Sequence, residues 1–503
     1  MSRRFASVLV SAGLTVVSVM SLVGCSSHHR TQGTTGNASF PQPAIVTVTT
    51  VTVGDPGNHP VAIVPFHPGI YKSCSDAPSR HSGCRLVGAV GYRYEVGELE
   101  TTVRQYVAFL NTVDPLGRNR RDLYTSTMSP TKWPKYGSIR RLSGSQAAPG
   151  RYYEVAYPQW ADKPIGFANF LRAASFVNSL TNGKVLSRTT STAHGFHLTT
   201  YQVRLSRNTQ DGMYDLALAQ GTKAVKRTRS TGFVVPSQNE WIKAAYFDPA
   251  GRGSFSYWKF PTGPSKAPHA SQLNSSGDIA NAGTQPLSTY SPRSSPNSQG
   301  TAVPTWCPSQ AGSDCESLNP FGLSPTAYQS KYQANLSSVG QTQSRSPWGT
   351  LDQGGNAVEW TDTVAPSPLG SKDPRVWRYA HGGVANAPAY QLWISAIGRL
   401  PQANVVAARI NPWEGFRIGV VGDLHSGNKG SCLHPRGGSR RTLSRLRAQR
   451  GRGESGRSPR ARRHPRVGLP SGCEAWRARG RSRLGGARWS GRSGLRHPSH
   501  RRA

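Results

Sequence analysis

Cysteine is scarce and unevenly placed. There are 7 in 503 residues, and none falls between Cys315 and Cys432. The long stretch between them therefore has no thiol for nucleophilic, redox or soft-metal chemistry. No Cys-x2-Cys pair occurs, which removes the usual zinc-ribbon spacing. Beyond residue 23 no apolar run is long enough for a bilayer-spanning helix. Acidic residues are also few, 24 against 61 Lys+Arg, but that excess is not uniform. From Leu424 to the end there are 22 basic and 2 acidic residues, with 21 Arg to one Lys and no Phe, Tyr, Ile or Met. A segment so poor in large apolar side chains cannot bury a core, and its composition predicts disorder over 422–503.

What is present begins at the N-terminus. Arg3 and Arg4 precede an apolar stretch from Ala6 to Val23, the n- and h-regions of a secretory signal. The stretch ends in Leu22-Val23-Gly24-Cys25, which resembles the bacterial lipobox. That resemblance implies cleavage before Cys25 and acylation of its thiol, so that residues 1–25 are a lipoprotein signal. The competing readings are an ordinary secretory signal or a short membrane helix that ends in cysteine. Residues 26–43 are polar and small, suited to a flexible tether from the membrane. The chain is thus expected to be exported and lipid-anchored on the extracytoplasmic face.

In that compartment two close cysteine pairs, Cys74 with Cys84 and Cys307 with Cys315, read as local disulfides. The Arg-rich tail fits three readings. It is a polyanion-binding arm, a surface-adhesion segment, or an out-of-frame translation of GC-rich DNA, whose codons favour Arg, Gly, Pro and Ala. An exported protein meets little nucleic acid, and no nucleic-acid partner is expected.

Residues 44–53 are a β-branched run and predict a strand, placed here in an N-terminal β extension over 44–84. Residues 85–96 predict another. Val103, Tyr106, Val107 and Leu110 share one helical face behind the N-cap candidate Thr102. A second helix is expected over 166–181, ended by Asn182-Gly183. A third begins at Pro236-Ser237, where Ser237 and Glu240 form a capping-box pattern. Residues 250–345 read as loops, and 404–409 and 416–421 as closing strands.

The order of these segments carries a resemblance. It runs through Glu100-x-Thr102-x-x-Gln105-Tyr106, Pro164 to Asn178, and Val235-Pro236-Ser237-Gln238-Asn239-Glu240-Trp241. It continues through Gly354-Gly355-Asn356-Ala357-Val358-Glu359-Trp360, His381-Gly382-Gly383 and Gly415-Phe416-Arg417-Ile418-Gly419. Together these resemble the formylglycine-generating-enzyme, or sulfatase-modifying-factor, family over 85–421. The resemblance implies an α+β, C-type-lectin-like sulfatase-modifying-factor fold with much irregular structure.

It also sets expectations for chemistry. Oxidising members of the family use two cysteines, after an Arg-Gly-Gly-Ser segment, to bind copper. Here His381 stands in place of that arginine, and Val384 to Trp413 contains no cysteine. Copper and the family's formylglycine reaction are therefore not expected, and no catalytic residue is assigned. The iron-dependent relatives need a His-x3-His-x-Glu motif that is absent; His194 and His197 read as loop residues. The resemblance implies calcium, held by the Glu359 carboxylate with the carbonyls of Gly355 and Ala357, and Asn335 at a second site. Without metal, Glu359 would cap or pair instead. Trp241, Trp360, Trp377, Trp393 and Trp413 are either core or the lining of a ligand groove.

The expected function is a surface-anchored, monomeric and non-catalytic protein that binds a protein, peptide or glycan. The alternatives are an oxidoreductase of the formylglycine-generating type with changed site chemistry, and a basic-tailed polymer binder.

Overall fold

The computed structural model describes residues 41–424, apart from 68, 78–82, 135, 220–222, 252–255, 275–276, 291–335, 368–374, 386 and 403–411. Strands and helices are mixed, so the class is α+β. The run Ile45–Val53 forms β1, because alternating β-branched residues fit a pleated surface with one buried side. Val46 and Val48 turn inward while Ile45 and Thr47 stay exposed; Val51 and Val53 are buried as the sheet is covered further along.

Five more strands complete this sheet: β2 (Tyr94–Gly97), β3 (Lys184–Ala193), β4 (Phe196–Arg204), β5 (Gly232–Val234) and, near the C-terminal end of the described chain, Gly419–Val421. Between the last two come β6 (Val358–Ala365), β7 (Trp377–His381), β8 (Gly398–Pro401) and β9 (Glu414–Gly415), so that Gly419–Val421 is β10. The large sheet has the order β3-β4-β1-β2-β10-β5 and every pairing is antiparallel. The smaller sheet has the order β8-β7-β6-β9. Its β6–β9 pair is parallel.

Three expectations change here. Residues 44–84 are not an extension outside the domain: β1 lies in the middle of the large sheet, between β4 and β2. Of the two exposed histidines expected in a loop, His194 is in a tight turn but His197 lies on a strand. The Thr-rich flanks pair as β3 and β4, and His194-Gly195 is their two-residue turn, with φ of 53° and 82°. The expected strand at 85–96 is broken into Arg85–Val87 and β2 by residues 88–93, beginning at Gly88 with φ of +85°.

The three helices form where the sequence predicts them. α1 (Val103–Val113) starts at Thr102, whose Oγ1 accepts from Gln105 N at 3.2 Å. α2 (Phe170–Thr181) starts four residues later than 166, because Asn169 caps it through Arg172 N at 2.9 Å. α3 (Gln238–Tyr246) has the Ser237/Glu240 capping box. The main core lies between helices and large sheet: Phe109 meets Phe176 at 5.2 Å, and Phe176 meets Phe416 at 5.6 Å between ring centres. Cys74 and Cys84 are disulfide-bonded, with Cα atoms 5.5 Å apart. Cys25, Cys307, Cys315 and the whole tail from 425 lie outside the described residues.

Candidate functional site

The family-like motifs converge on one buried charge centre. Glu359 on β6 is fully buried, as is Arg417, two residues before β10. Arg417 Nη2 and Nε donate to the two Glu359 oxygens, each at 2.6 Å. Trp241 Nε1, from α3, adds a third donor at 2.7 Å. The rest of the guanidinium reaches main-chain carbonyls, Gly97 at 2.8 Å and Leu351 at 3.0 Å. This two-pronged geometry is the strongest form of ion pair available to a carboxylate.

Two further acids border the pair. Glu100 accepts from Asn356 Nδ2 at 2.7 Å and Ala357 N at 3.0 Å. Asp352 accepts from Thr342 Oγ1 at 2.6 Å and from Gly340 N. Burial, with the Asp352 and Glu359 charges beside it, holds the Glu100 carboxyl well above the usual carboxylate range. Burial raises Asp352 as well.

This geometry bears on the calcium expectation. Glu359 has its oxygens engaged by Arg417 and Trp241, so a divalent cation there would have to displace a guanidinium. Gly355 is at φ +87°, and a Cβ would meet the Thr289 carbonyl at 2.2 Å, so its glycine is required by close backbone approach. Ala357 is tied through its N–H to Glu100. The donors present do not fit calcium at Glu359. Asn335 lies outside the described residues.

The chain around His381 is closed. His381 is 1% exposed and stacks on Trp241 at 5.1 Å. Its Nε2 meets Gln238 Nε2 at 3.0 Å. Burial pushes the imidazole down to about 3. Gly382 and Gly383 turn the chain away at φ +102° and +73°. Of the five tryptophans, Trp241 and Trp360 are core. Trp377, Trp393 and Trp413 pack on three different apolar clusters, so the five do not line one groove.

The open concavity lies elsewhere. A groove of about 810 Å³ runs between the start of β1, the outer side of α1, residues 158–162 and residues 338–341. Ile45, Leu99, Ala108 and Val339 give it apolar walls, and Gln105, Gln159 and Gln341 line it with amides. A smaller recess of about 90 Å³ shares Thr47, Leu99, Thr102 and Gln105 with it and reaches Glu100 and Thr101. Thr101 Oγ1 is buried without a hydrogen-bond partner among the described residues. Arg104 and Asp162 pair across the groove rim at 2.8 Å, and Asp278 accepts from Gln341 at 2.8 Å.

One side of β1 faces this groove without a strand beside it. β4 pairs with β1 from Ile45 to Val51, whereas β2 pairs with it only from Thr50 onward. Leu205 N donates to Ala44 O. By the two-residue alternation of a strand, Ile45 and Thr47 then direct their backbone groups to the other side. Gln105 Nε2 donates to Thr47 O at 2.7 Å there. The sequence reading missed this groove, because an open strand edge is set by where the neighbouring strand stops.

No family model and no curated protein matches this sequence. Among solved structures, Treponema denticola variable protein 1 aligns with 76% of this chain and 100% of its own, at 14% identity and a TM-score of 0.33. A protein named CarF aligns over the same shares at 13% identity and 0.33. PvdO from Pseudomonas aeruginosa does so at 9% and 0.30. At these TM-scores the likenesses carry no argument about what this chain is or does.

Proposed function

We propose that this chain is an exported, lipid-anchored binding protein with a formylglycine-generating-enzyme-like, C-type-lectin-like domain, and that it holds an extended peptide in the groove beside β1. The observation that carries this reading is the open edge of Ile45–Val48 on an 810 Å³ groove. An extended peptide supplies backbone donors and acceptors to such an edge, while its alternate side chains meet the groove wall. The mixed apolar, amide and charged lining suits a peptide of mixed polarity. The order of family-like motifs supports the domain, and Leu22 to Cys25 supports the anchor. The sealed His381 and the absence of cysteine from Val384 to Trp413 favour binding over catalysis.

The test is peptide display against the full chain carrying Cys25→Ser, followed by amide exchange. Selected peptides are expected to slow exchange at Ile45 and Thr47. Thr47→Pro removes one groove-facing N–H while sparing the β4 ladder, and is expected to weaken binding about tenfold. Protection confined to another surface, or equal affinity for Thr47→Pro, would contradict the reading.

A further inference from the structure

The place where the chain enters the domain is strongly basic. Pro41 is the first described residue, and its carbonyl accepts from Arg207 Nη2 at 2.6 Å. Arg121 Nη1 donates in turn to Arg207 O at 3.2 Å and Thr209 Oγ1 at 2.9 Å. Gly150 lies against Pro41, where an added Cβ would be 2.7 Å from the proline ring. Arg151 follows it and is exposed. Gly150 N donates to Pro115 O at 2.8 Å, which brings in the loop after α1. That loop carries exposed Arg118 and Arg120, and Arg141 donates to its Gly117 carbonyl.

The nearby acids offset these six arginines only in part. Asp114 is engaged by the N–H groups of Arg118 and Asn119 and by Tyr153 OH at 2.6 Å. Asp122 is paired with Arg172 at 2.7 Å. Pro41 follows Cys25 by 16 residues. Because so few residues separate them, an acylated Cys25 would keep this end of the domain near the lipid headgroups.

We propose that this arginine face is a membrane-contact surface that binds anionic phospholipid headgroups and orients the anchored domain with its point of chain entry toward the bilayer. The proposal rests on the reading of Cys25 as the anchor. A single charge acts only within a Debye length of about 8 Å, so a cluster on one face is what gives a preferred orientation. Basic side chains near an anionic surface add their attractions, and three of them contribute at least tenfold in affinity.

The test uses the full chain with Cys25→Ser, so that lipid binding is read without acyl chains. It is co-sedimented with vesicles of phosphatidylcholine containing about one third phosphatidylglycerol. The triple variant Arg118→Gln, Arg120→Gln, Arg151→Gln is compared with Arg460→Gln, Arg462→Gln, Arg463→Gln in the tail. Circular dichroism confirms that both keep the parent fold. The first variant is expected to lose tenfold or more in affinity, and the second clearly less. Equal losses in the two, or no loss in the first, would overturn the proposal. So would weakened binding to duplex DNA with vesicle binding unchanged. The mass of the N-terminal peptide from membrane-expressed parent chain reports Cys25 acylation separately, so a failed anchor and a failed contact surface are distinguishable.

Discussion

Replacing Arg417 with methionine is expected to cost the domain about 3–5 kcal/mol of stability at neutral pH, the usual cost of leaving a buried charge without its partner. Arg417 and Glu359 are both 0% exposed by side chain, and the guanidinium holds both carboxylate oxygens. Glu100 and Asp352 lie close enough for their charges to matter to the same centre. Without Arg417, three buried acids share only hydrogen bonds. The loss should shrink as the pH falls. Glu100 and Asp352 have folded-state values raised above their ordinary ones, so the destabilisation from keeping them charged is present above those values and is relieved as protons bind. Urea unfolding of Arg417→Met at two pH values checks both statements. A loss below about 1 kcal/mol at neutral pH would mean that the pair is dispensable. The double change Glu359→Met, Arg417→Met is expected to recover part of the loss, because an apolar pair leaves no charge behind.

Acidification is expected to unfold the domain partly through His381. Its folded value of about 3 lies below the unfolded 6.5, so the folded state keeps a neutral ring that the unfolded chain protonates. The stability from this neutral burial is fully present above 6.5 and is lost progressively as pH falls toward 3. Integrated over that range, the loss is on the order of 5 kcal/mol, of which about 2–3 kcal/mol is reached by about pH 4.5. Glu100 and Asp352 contribute with the opposite sign, so the parent curve alone does not isolate the histidine. The difference between parent and His381→Gln does. That difference should move by about 2–3 kcal/mol in favour of the variant between neutral pH and about pH 4.5. Parallel pH profiles would show that the ring is not the group being titrated.

The local parts of this fold were legible because they rest on local rules. Thr102 and Ser237 cap their helices through groups three residues away, and both patterns are visible as Thr-x-x-Gln and Ser-x-x-Glu. The disulfide between Cys74 and Cys84 needed only compartment and spacing. Long-range pairing was not legible. Nothing in Ile45–Val53 says that its neighbours are residues 94–97 and 196–204, so its central place was missed. The hairpin at His194-Gly195 was hidden because β3 is exposed on nearly its whole length and lacks an apolar alternation.

The charge centre was half legible. Glu100, Glu359 and Arg417 were each quoted within a motif, but only the structure brings a glutamate and an arginine 58 residues apart into one pair. Lys163 gave no signal at all. It is fully buried with its ammonium donating to the carbonyls of Gly277 at 2.9 Å and Leu336 at 2.5 Å, and burial lowers it to about 8. Main-chain acceptors from distant loops leave no pattern in a sequence. The groove was missed for a similar reason, since an open strand edge is defined by where the neighbouring strand stops.

The proposed function has this domain bind rather than oxidise. The most direct measurement is oxygen consumption by the full chain carrying Cys25→Ser, with copper added and a cysteine-containing sulfatase-type peptide as substrate. No stoichiometric copper and no peptide-dependent oxygen uptake are expected, because Val384 to Trp413 offers no thiolate. Copper bound one to one with peptide-dependent uptake would contradict the proposed function, and would place a different ligand set in this fold.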